Sequence, residues 1–468
     1  MRSSEVTDVA QQSRYTATLR EVAAACGGEV QQRWADVLVR GVSTDTRELS
    51  EGDLFVALKG ERHNGHEFLA DALEAGAAAA VVHDAGGAPA ELPVVVVSDP
   101  LEALGKLAAA HRAQMPVRVA AITGSTGKTT TKDMLGEILG LGGPTVTAEA
   151  SHNNEIGVPL TLLRIGPEHH FCVLEFAMRG PGEIDYLAEI ARPHVGVITN
   201  IGQSHVGRLG SREAIAQVKA ELLEHIPETG AAVLNADDFF FSVFTAMSRC
   251  PVTSFGFAPE ADVRAEDVRD EDLEGVRFRL IAPQGEAEVR MAVLGRHNVA
   301  NALAACAAAA QMGAGLDQMV QALGQYEGAP MRMQRMAGRN GSTIINDAYN
   351  ASPDSVAAAL DVLGSVSGRK ILVFGDMLEM GPEGEPAHRR VGRAAAEAGV
   401  ARFIAVGDLA ALAAEEAAQL GVAADAVGSV AEVATLLAPE LQPGDVVLVK
   451  GSRAMGLERV VEELADEQ

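Results

Sequence analysis

Cysteine is scarce in this chain. Four occur among 468 residues, Cys26, Cys172, Cys250 and Cys306, widely separated and never as a C-x-x-C pair. That spacing excludes a disulfide framework and a cysteine zinc cluster, and leaves buried free thiols as the expectation. Long apolar runs are missing too: no uninterrupted stretch reaches the roughly 18 residues of a membrane-crossing helix. Met1 to Gln12 is polar and has no apolar signal core. A cytoplasmic protein without membrane insertion is expected. Basic charge is in deficit, with 38 Lys and Arg against 64 Asp and Glu, a formal net charge of −26. A surface of that sign repels polyanions and no basic stripe interrupts it, which argues against nucleic acid and anionic membranes as partners. Lysine is rarer still, with Lys59, Lys106, Lys128, Lys132, Lys219, Lys370 and Lys450 the only seven. A chain that draws most positive charge from arginine can keep lysine where a primary amine is needed.

What is present is ordinary for a soluble globular protein: 47% hydrophobic and 22% charged residues. The length exceeds one core and predicts about three domains. Residues 1–115 read as mixed α and β, with a helix at Leu19 to Cys26 and strands at Leu54 to Leu58 and Val94 to Val97. Residues 116–328 alternate strands (Cys172 to Phe176, Val195 to Thr199, Ala231 to Leu234) with helical periodicity at Arg212 to His225, predicting a mainly parallel sheet covered by helices. Gly328 to Met333 reads as a linker. Residues 329–468 then repeat the strand and helix rhythm of a doubly wound, Rossmann-like domain.

The most informative segment joins an apolar strand, Val117 to Thr123, to Gly124-Ser125-Thr126-Gly127-Lys128-Thr129-Thr130 and a helix. Glycines there let backbone N–H groups approach phosphate oxygens, Lys128 neutralises phosphate charge, and the Thr129 hydroxyl suits Mg²⁺. The pattern is the short G-x-x-G-K-T, with Ile122 where the longer motif has glycine. It reads as a nucleoside triphosphate cradle; the competing reading is a chance βα turn.

Other candidates follow strands or open helices. Glu175 ends an apolar strand and His205 closes Asn200-Ile201-Gly202-Gln203-Ser204-His205, both at places where parallel sheets bind ligands. They read as divalent-metal ligands, although imidazole suits Mn²⁺ better than Mg²⁺ and a structural histidine is the commoner case. Lys219, at helical spacing, reads as an ordinary surface amine on local grounds. Asn298 and Asn301 share one face of a helix start; they can pair with an adenine edge, or Asn298 can simply cap the helix. Asn346-Asp347-Ala348-Tyr349-Asn350 and Lys450-Gly451-Ser452-Arg453 each follow a strand, where ligand contacts and plain turn chemistry are both compatible with the residues.

Taken in order along the chain, these segments resemble the Mur ligases of peptidoglycan synthesis. The set comprises Gly124 to Thr130, Asn153-Asn154-Glu155-Ile156-Gly157-Val158-Pro159, the Glu175 strand, Asn200 to His205, Lys219, Gly295 to Ala302, and Val449 to Arg453. Ser43-Thr44-Asp45-Thr46-Arg47, Asn64-Gly65-His66, Asp347 to Pro353 and Gly375 to Gly381 point within the family to the ligase that adds D-alanyl-D-alanine. The resemblance implies an N-terminal domain holding a UDP-sugar peptide, a central ATPase domain and a C-terminal domain that brings in the amino substrate. By position it implies Gly124, Ser125, Thr126, Gly127, Lys128, Thr129 and Thr130 around the ATP phosphates, Thr129 and Glu175 on one Mg²⁺ and His205 on a second. It further implies a carbamylated Lys219 serving the metal, Asn298 and Asn301 at adenine, Arg332 at the γ-phosphate and Asp347 at ribose. Ser43, Asp45, Arg47, Asn64, His66, Asn153, Asn154, Tyr349, Asn350 and Lys450 would meet the substrates, UDP-N-acetylmuramoyl-tripeptide and D-alanyl-D-alanine, and a monomer is the family expectation. Two places depart from the family pattern: Asn346-Asp347 stands for Asp-Asp, and Asn64-Gly65-His66 for Asp-Gly-His. A sister ligase adding the third amino acid, folylpolyglutamate synthase, and a regulatory ATPase that forms no bond are the alternatives. The third-residue ligase usually carries an Asp-Asn-Pro-Arg segment that this chain lacks.

Overall fold

Local sequence rules set the first helix. Thr18 accepts from the Glu21 backbone N–H while the Glu21 carboxylate accepts from the Thr18 N–H, a reciprocal cap that starts Leu19–Cys26, and Gly27 at φ 69° ends it. Leu19, Val22, Ala23 and Cys26 are buried on one face, the i, i+3, i+4, i+7 spacing of a helix laid on a core. The structure, a computed structural model, describes residues 15–60, 63–203 and 206–466. His205 lies outside the described residues.

The chain packs as two units. The first comprises the chain up to Ile122, Gly142–Gly196 and Glu221–Gly230. It holds a five-stranded sheet in the order Glu29–Val30, Val94–Val96, Ala79–Val82, Leu54–Val56, Val42–Ser43, parallel except for the first pair. The near-continuous apolar run Ala79–Val82 is buried throughout, as a strand covered on both faces must be. The same unit contains three parallel strands in which Phe171–Glu175 lies between Arg118–Thr123 and Thr145–Thr147, with Glu175 registered opposite Ile122. Glu175 therefore stands beside the residue that leads into the glycine loop.

The second unit comprises Thr123–Leu141, Val197–Ala220 and the chain from Ala231. Its loop helix, Lys128–Gly140, packs against the alanine-rich helix Arg296–Gln311. Small side chains let two helix backbones come close. Parallel strands Ala231–Asn235, Val252–Gly256 and Val263–Asp270 continue into antiparallel Val276–Ala282 and Gly285–Met291. The antiparallel portion adds to the parallel pattern expected from sequence. The six-stranded sheet nearer the C-terminus runs Gln334–Gly338, Ser342–Asp347, Asp445–Lys450, Arg369–Gly375, Val400–Val406, Ala423–Val427, with only the first strand antiparallel. Leu372 and Phe374 enter one core while Ile371 and Val373 enter another. That alternation is what a sheet covered on both faces requires, and it agrees with the doubly wound reading.

Candidate active site

Gly124 and Gly127 shape the loop after Arg118–Thr123, with φ of 148° and 79°. Those angles, and the space, admit only glycine. A Cβ on Gly124 would lie 1.8 Å from Thr199 Oγ1, and one on Gly127 would lie 2.1 Å from Asn301 Oδ1. The loop is braced from the strand end at residues 199–200. Thr199 Oγ1 donates to Thr126 O at 2.6 Å, Asn200 Nδ2 donates to the same carbonyl at 3.1 Å, and Asn200 Oδ1 accepts from the Thr126 N–H at 3.1 Å. The Gly202 N–H donates to Ser125 Oγ at 2.9 Å. Thr129 and Thr130, in the first turn of the helix, are buried. Their position at a helix N-terminus puts backbone N–H groups and a positive dipole end toward an anion.

Two lysines meet at one backbone oxygen. Lys128 Nζ and Lys219 Nζ each donate to Gly124 O at 2.9 Å. Lys219 is 2% exposed; burial, and next the charge of Lys128, push its amine well below the ordinary lysine value. It is no solvated surface amine. Burial thus makes this lysine easier to deprotonate than a solvated one, and the deprotonated amine is the nucleophilic form.

The amides at the start of Arg296–Gln311 serve each other first. Asn298 Nδ2 donates to Leu294 O at 2.9 Å and Asn301 Nδ2 donates to Asn298 Oδ1 at 3.1 Å. Asn298 makes no cap hydrogen bond; Gly295 occupies the cap position. The relay sets Asn301 Oδ1 against Gly127.

Asp347, Tyr349, Asn350, Lys450 and Arg332 come together. Buried Lys450 forms an ion pair with Asp347 and donates to Asn350 O at 3.0 Å, while Asp347 Oδ1 accepts from the Met333 N–H at 3.2 Å. The Arg332 guanidinium stacks over the Tyr349 ring at 4.0 Å. Strands Ser342–Asp347 and Asp445–Lys450 pair with Asp347 opposite Lys450, so the register puts both side chains at one strand end.

In the first unit, buried Glu175 accepts from Asn153 Nδ2 at 2.8 Å. Asn154 Oδ1 accepts from the Ile156 and Gly157 N–H groups and so holds the start of Gly157–Leu163. The Arg47 guanidinium clamps Asp45 and holds its carboxyl down at about 2, chiefly through the side-chain hydrogen bond. Ser43 Oγ donates to Asp45 O at 3.0 Å. Asn64 Oδ1 accepts from the His66 N–H, and His66 Nε2 accepts from the His83 N–H at 3.0 Å. His66 thus has only Nδ1 left to turn toward a ligand. Burial lowers its pKa. Of the groups that sequence reasoning left without a role, Thr199, Asn200 and Gly202 grip the loop. Asn200 and Gly202 stood in a quoted segment, but nothing local shows an amide folding back on Thr126.

The Glu175 carboxylate in the first unit and the Thr129 hydroxyl in the second are each oxygen donors of the kind Mg²⁺ prefers. No group of three or more His, Cys, Asp or Glu converges among the described residues.

The family models agree with this layout. Residues 38–112 match the Mur ligase family catalytic domain, 122–309 the Mur ligase middle domain, and 331–453 the Mur ligase, glutamate ligase domain. The chain is 37% identical over 453 residues to UDP-N-acetylmuramoyl-tripeptide–D-alanyl-D-alanine ligase of Escherichia coli strain K12, covering 96% of this chain and 98% of that one. The crystal structure of MurF from Acinetobacter baumannii superposes with TM-score 0.89 at 35% identity, covering 97% of this chain and 99% of that one. MurF of Thermotoga maritima, solved in complex with ADP, gives TM-score 0.78 at 28% identity, with 90% and 96% covered. Domain matches in sequence order, near full-length identity and a shared three-dimensional fold make this chain a member of the Mur ligase family.

Proposed function

We propose that this chain is the ATP-dependent ligase that joins D-alanyl-D-alanine to UDP-N-acetylmuramoyl-tripeptide, giving the pentapeptide, ADP and phosphate. The observation that carries the reading is the match over 96% of the chain to a relative named for that reaction. The braced phosphate loop with two lysines on Gly124 O supports it chemically. Three domains, 1–115 for the UDP-sugar peptide, 116–328 for ATP and 329–468 for the amine, correspond to three substrates.

A carboxylate is a poor acyl donor because oxide is a poor leaving group. The tripeptide carboxylate oxygen therefore attacks the γ-phosphorus of ATP, the bond to the ADP oxygen breaks, and an acyl phosphate forms. The dipeptide amine then adds to the acyl carbon, loses a proton, and phosphate leaves with the C–O bonding pair. Lys128 and the N–H groups of the loop helix neutralise the moving phosphoryl charge. Arg332 serves the γ-phosphate, Asp347 the ribose and Asn298 with Asn301 the adenine side of the site. Ser43, Asp45, Arg47, Asn64 and His66 hold the UDP-sugar end, Asn153 and Asn154 the peptide side, and Tyr349, Asn350 and Lys450 the dipeptide side. Mg²⁺, if bound, would supply charge neutralisation at the phosphates, and Thr129, Glu175 and His205 are the residues that would hold it, at two sites. Lys219 is carbamylated: its neutral amine forms an N–C bond to carbon dioxide, one C=O π bond becomes the carboxylate, and a proton leaves. The product is an anion where a cation would oppose metal binding. The protein acts as a cytoplasmic monomer; among the described residues no helix is long and apolar enough to cross a membrane.

Phosphate release from ATP and Mg²⁺, measured with the UDP-tripeptide and with or without D-alanyl-D-alanine, tests the reading. Release that needs both, with a UDP-pentapeptide detected by mass, is expected. Release with a single amino acid in place of the dipeptide would move the chain to a sister ligase.

A further inference from the structure

The turn at Gly202 and Gln203 is held from two sides. On one side the Gly202 N–H donates to Ser125 Oγ of the phosphate loop at 2.9 Å. On the other, the Gln203 N–H donates to Asp354 Oδ2 at 2.7 Å, across 151 residues of chain. Asp354 occupies the first turn of Pro353–Ser365, whose start is set by a Ser352 and Ser355 cap and by Pro353. A carboxylate there is favoured by the helix dipole. The helix follows directly on Asp347 to Asn350, the segment clamped by Lys450.

The contact leaves no spare room. A Cβ on Gly202 would lie 2.2 Å from Asp354 Oδ2 and 3.1 Å from its Cγ. Gly202 is not among the positive-φ glycines, so alanine suits its backbone and the obstruction comes mainly from Asp354. A second close approach lies five residues on. A Cβ on Gly207 would lie 2.7 Å from Glu379 O. Gly202 against a side chain and Gly207 against a backbone carbonyl thus each leave no room for a Cβ.

We propose that Asp354 is a positioning residue for the ligase reaction. It fixes the Asp347 to Ser352 segment in register with the phosphate loop, through Gln203, Gly202 and Ser125. Misplacement of a reacting group by about 1 Å costs up to roughly a hundredfold in rate, while nucleotide affinity depends on the loop itself. The residue is thus expected to act on turnover more than on binding. The inference rests on the ligase reading for its turnover assay, and a second measurement stands apart from it.

The experiment compares Asp354→Ala, Asp354→Asn, Gly202→Ala and the Gly202→Ala/Asp354→Ala double variant with the parent chain. Asp354→Ala should lower kcat about tenfold and leave KM for ATP and Kd for ADP within about twofold. Asp354→Asn, which keeps an oxygen acceptor for Gln203, should stay within about threefold of the parent. In thermal unfolding without substrates, Gly202→Ala should lower Tm and the double variant should recover most of that loss, because the obstructing oxygen is gone. Unchanged kcat in Asp354→Ala, a proportional loss of ADP binding, or additive Tm losses in the double variant would overturn the proposal. A parent chain without two-substrate turnover would defeat the ligase reading, while the Tm comparison would still decide on the Gly202 and Asp354 contact.

Discussion

At the scale of single residues, the scarcity of lysine acquires a structural meaning. Lys132, Lys219 and Lys450 are each 2% exposed, whereas solvent is the usual place for an ammonium group. Arginine, which stays charged, does the surface work in networks such as Arg279 with Glu266 and Glu286. Lys219→Ala should reduce ligase turnover by roughly a hundredfold, and added formate or acetate should restore part of it by standing in for a carbamate. Full turnover without the additive would remove the role. Asp45 offers a test in the first unit. Its carboxyl titrates near 2, below the ordinary 3.8. A depressed carboxyl contributes stability that is fully present above the ordinary value and is lost as pH falls through about 2. In Arg47→Ala the Asp45 titration, followed by carboxyl NMR, should move back up to the ordinary carboxylate range. An unmoved curve would show that Arg47 is not its cause.

At the scale of elements, the boundaries legible in the chain were those written in local chemistry. Leu19–Cys26 carries its own cap and stop, and Pro353–Ser365 starts where Ser352 and Pro353 place it. The hairpin Val276–Ala282 with Gly285–Met291 was missed even though Val276, Phe278, Leu280 and Ala282 alternate inward in a strict period of two. Arg277 and Arg279 stand at the alternate, half-exposed positions, which gives the strand one apolar and one polar face. The loop after Arg369–Gly375 shows what lies beyond local signals. His388 is fully buried on Gly384–Glu397; its Nε2 accepts from the Met377 N–H at 2.9 Å and its Nδ1 lies 2.6 Å from Gly384 O. Burial lowers its pKa, so the folded chain favours the neutral ring. The stability tied to it is present above about pH 6.5 and declines as pH falls below that value. His388→Ala should cost about 1–3 kcal/mol in urea unfolding at neutral pH, from backbone groups left unpaired. His388→Gln should flatten the stability loss between pH 6.5 and 5. Gly127→Ala combines a positive φ with a clash at Asn301. Its binding of a fluorescent nucleotide should fall at least about tenfold; unchanged binding would mean that the loop relaxes freely.

At the scale of the whole molecule, a nucleotide that binds only the folded chain must stabilise it. ADP with Mg²⁺ at about a hundred times Kd should add about 2.7 kcal/mol, read as a rise in Tm that grows with the logarithm of ADP concentration. A Tm indifferent to ADP would contradict the phosphate cradle. Composition, the G-x-x-G-K-T turn and the strand and helix rhythm determined by themselves that the chain is α/β and carries a tight glycine turn between a strand and a helix, because glycine angles, caps and periodicity act within a few residues. Only tertiary structure decided which side chains the loop meets. Thr199, Asn200 and Lys219 reach Gly124 and Thr126 from 73 to 95 residues away, and Asp354 reaches Gln203 from 151. It also decided that Lys219 is a buried amine beside Lys128 instead of a surface one. Burial, register and close approach are set by the packing of the whole chain, and no local pattern encodes them.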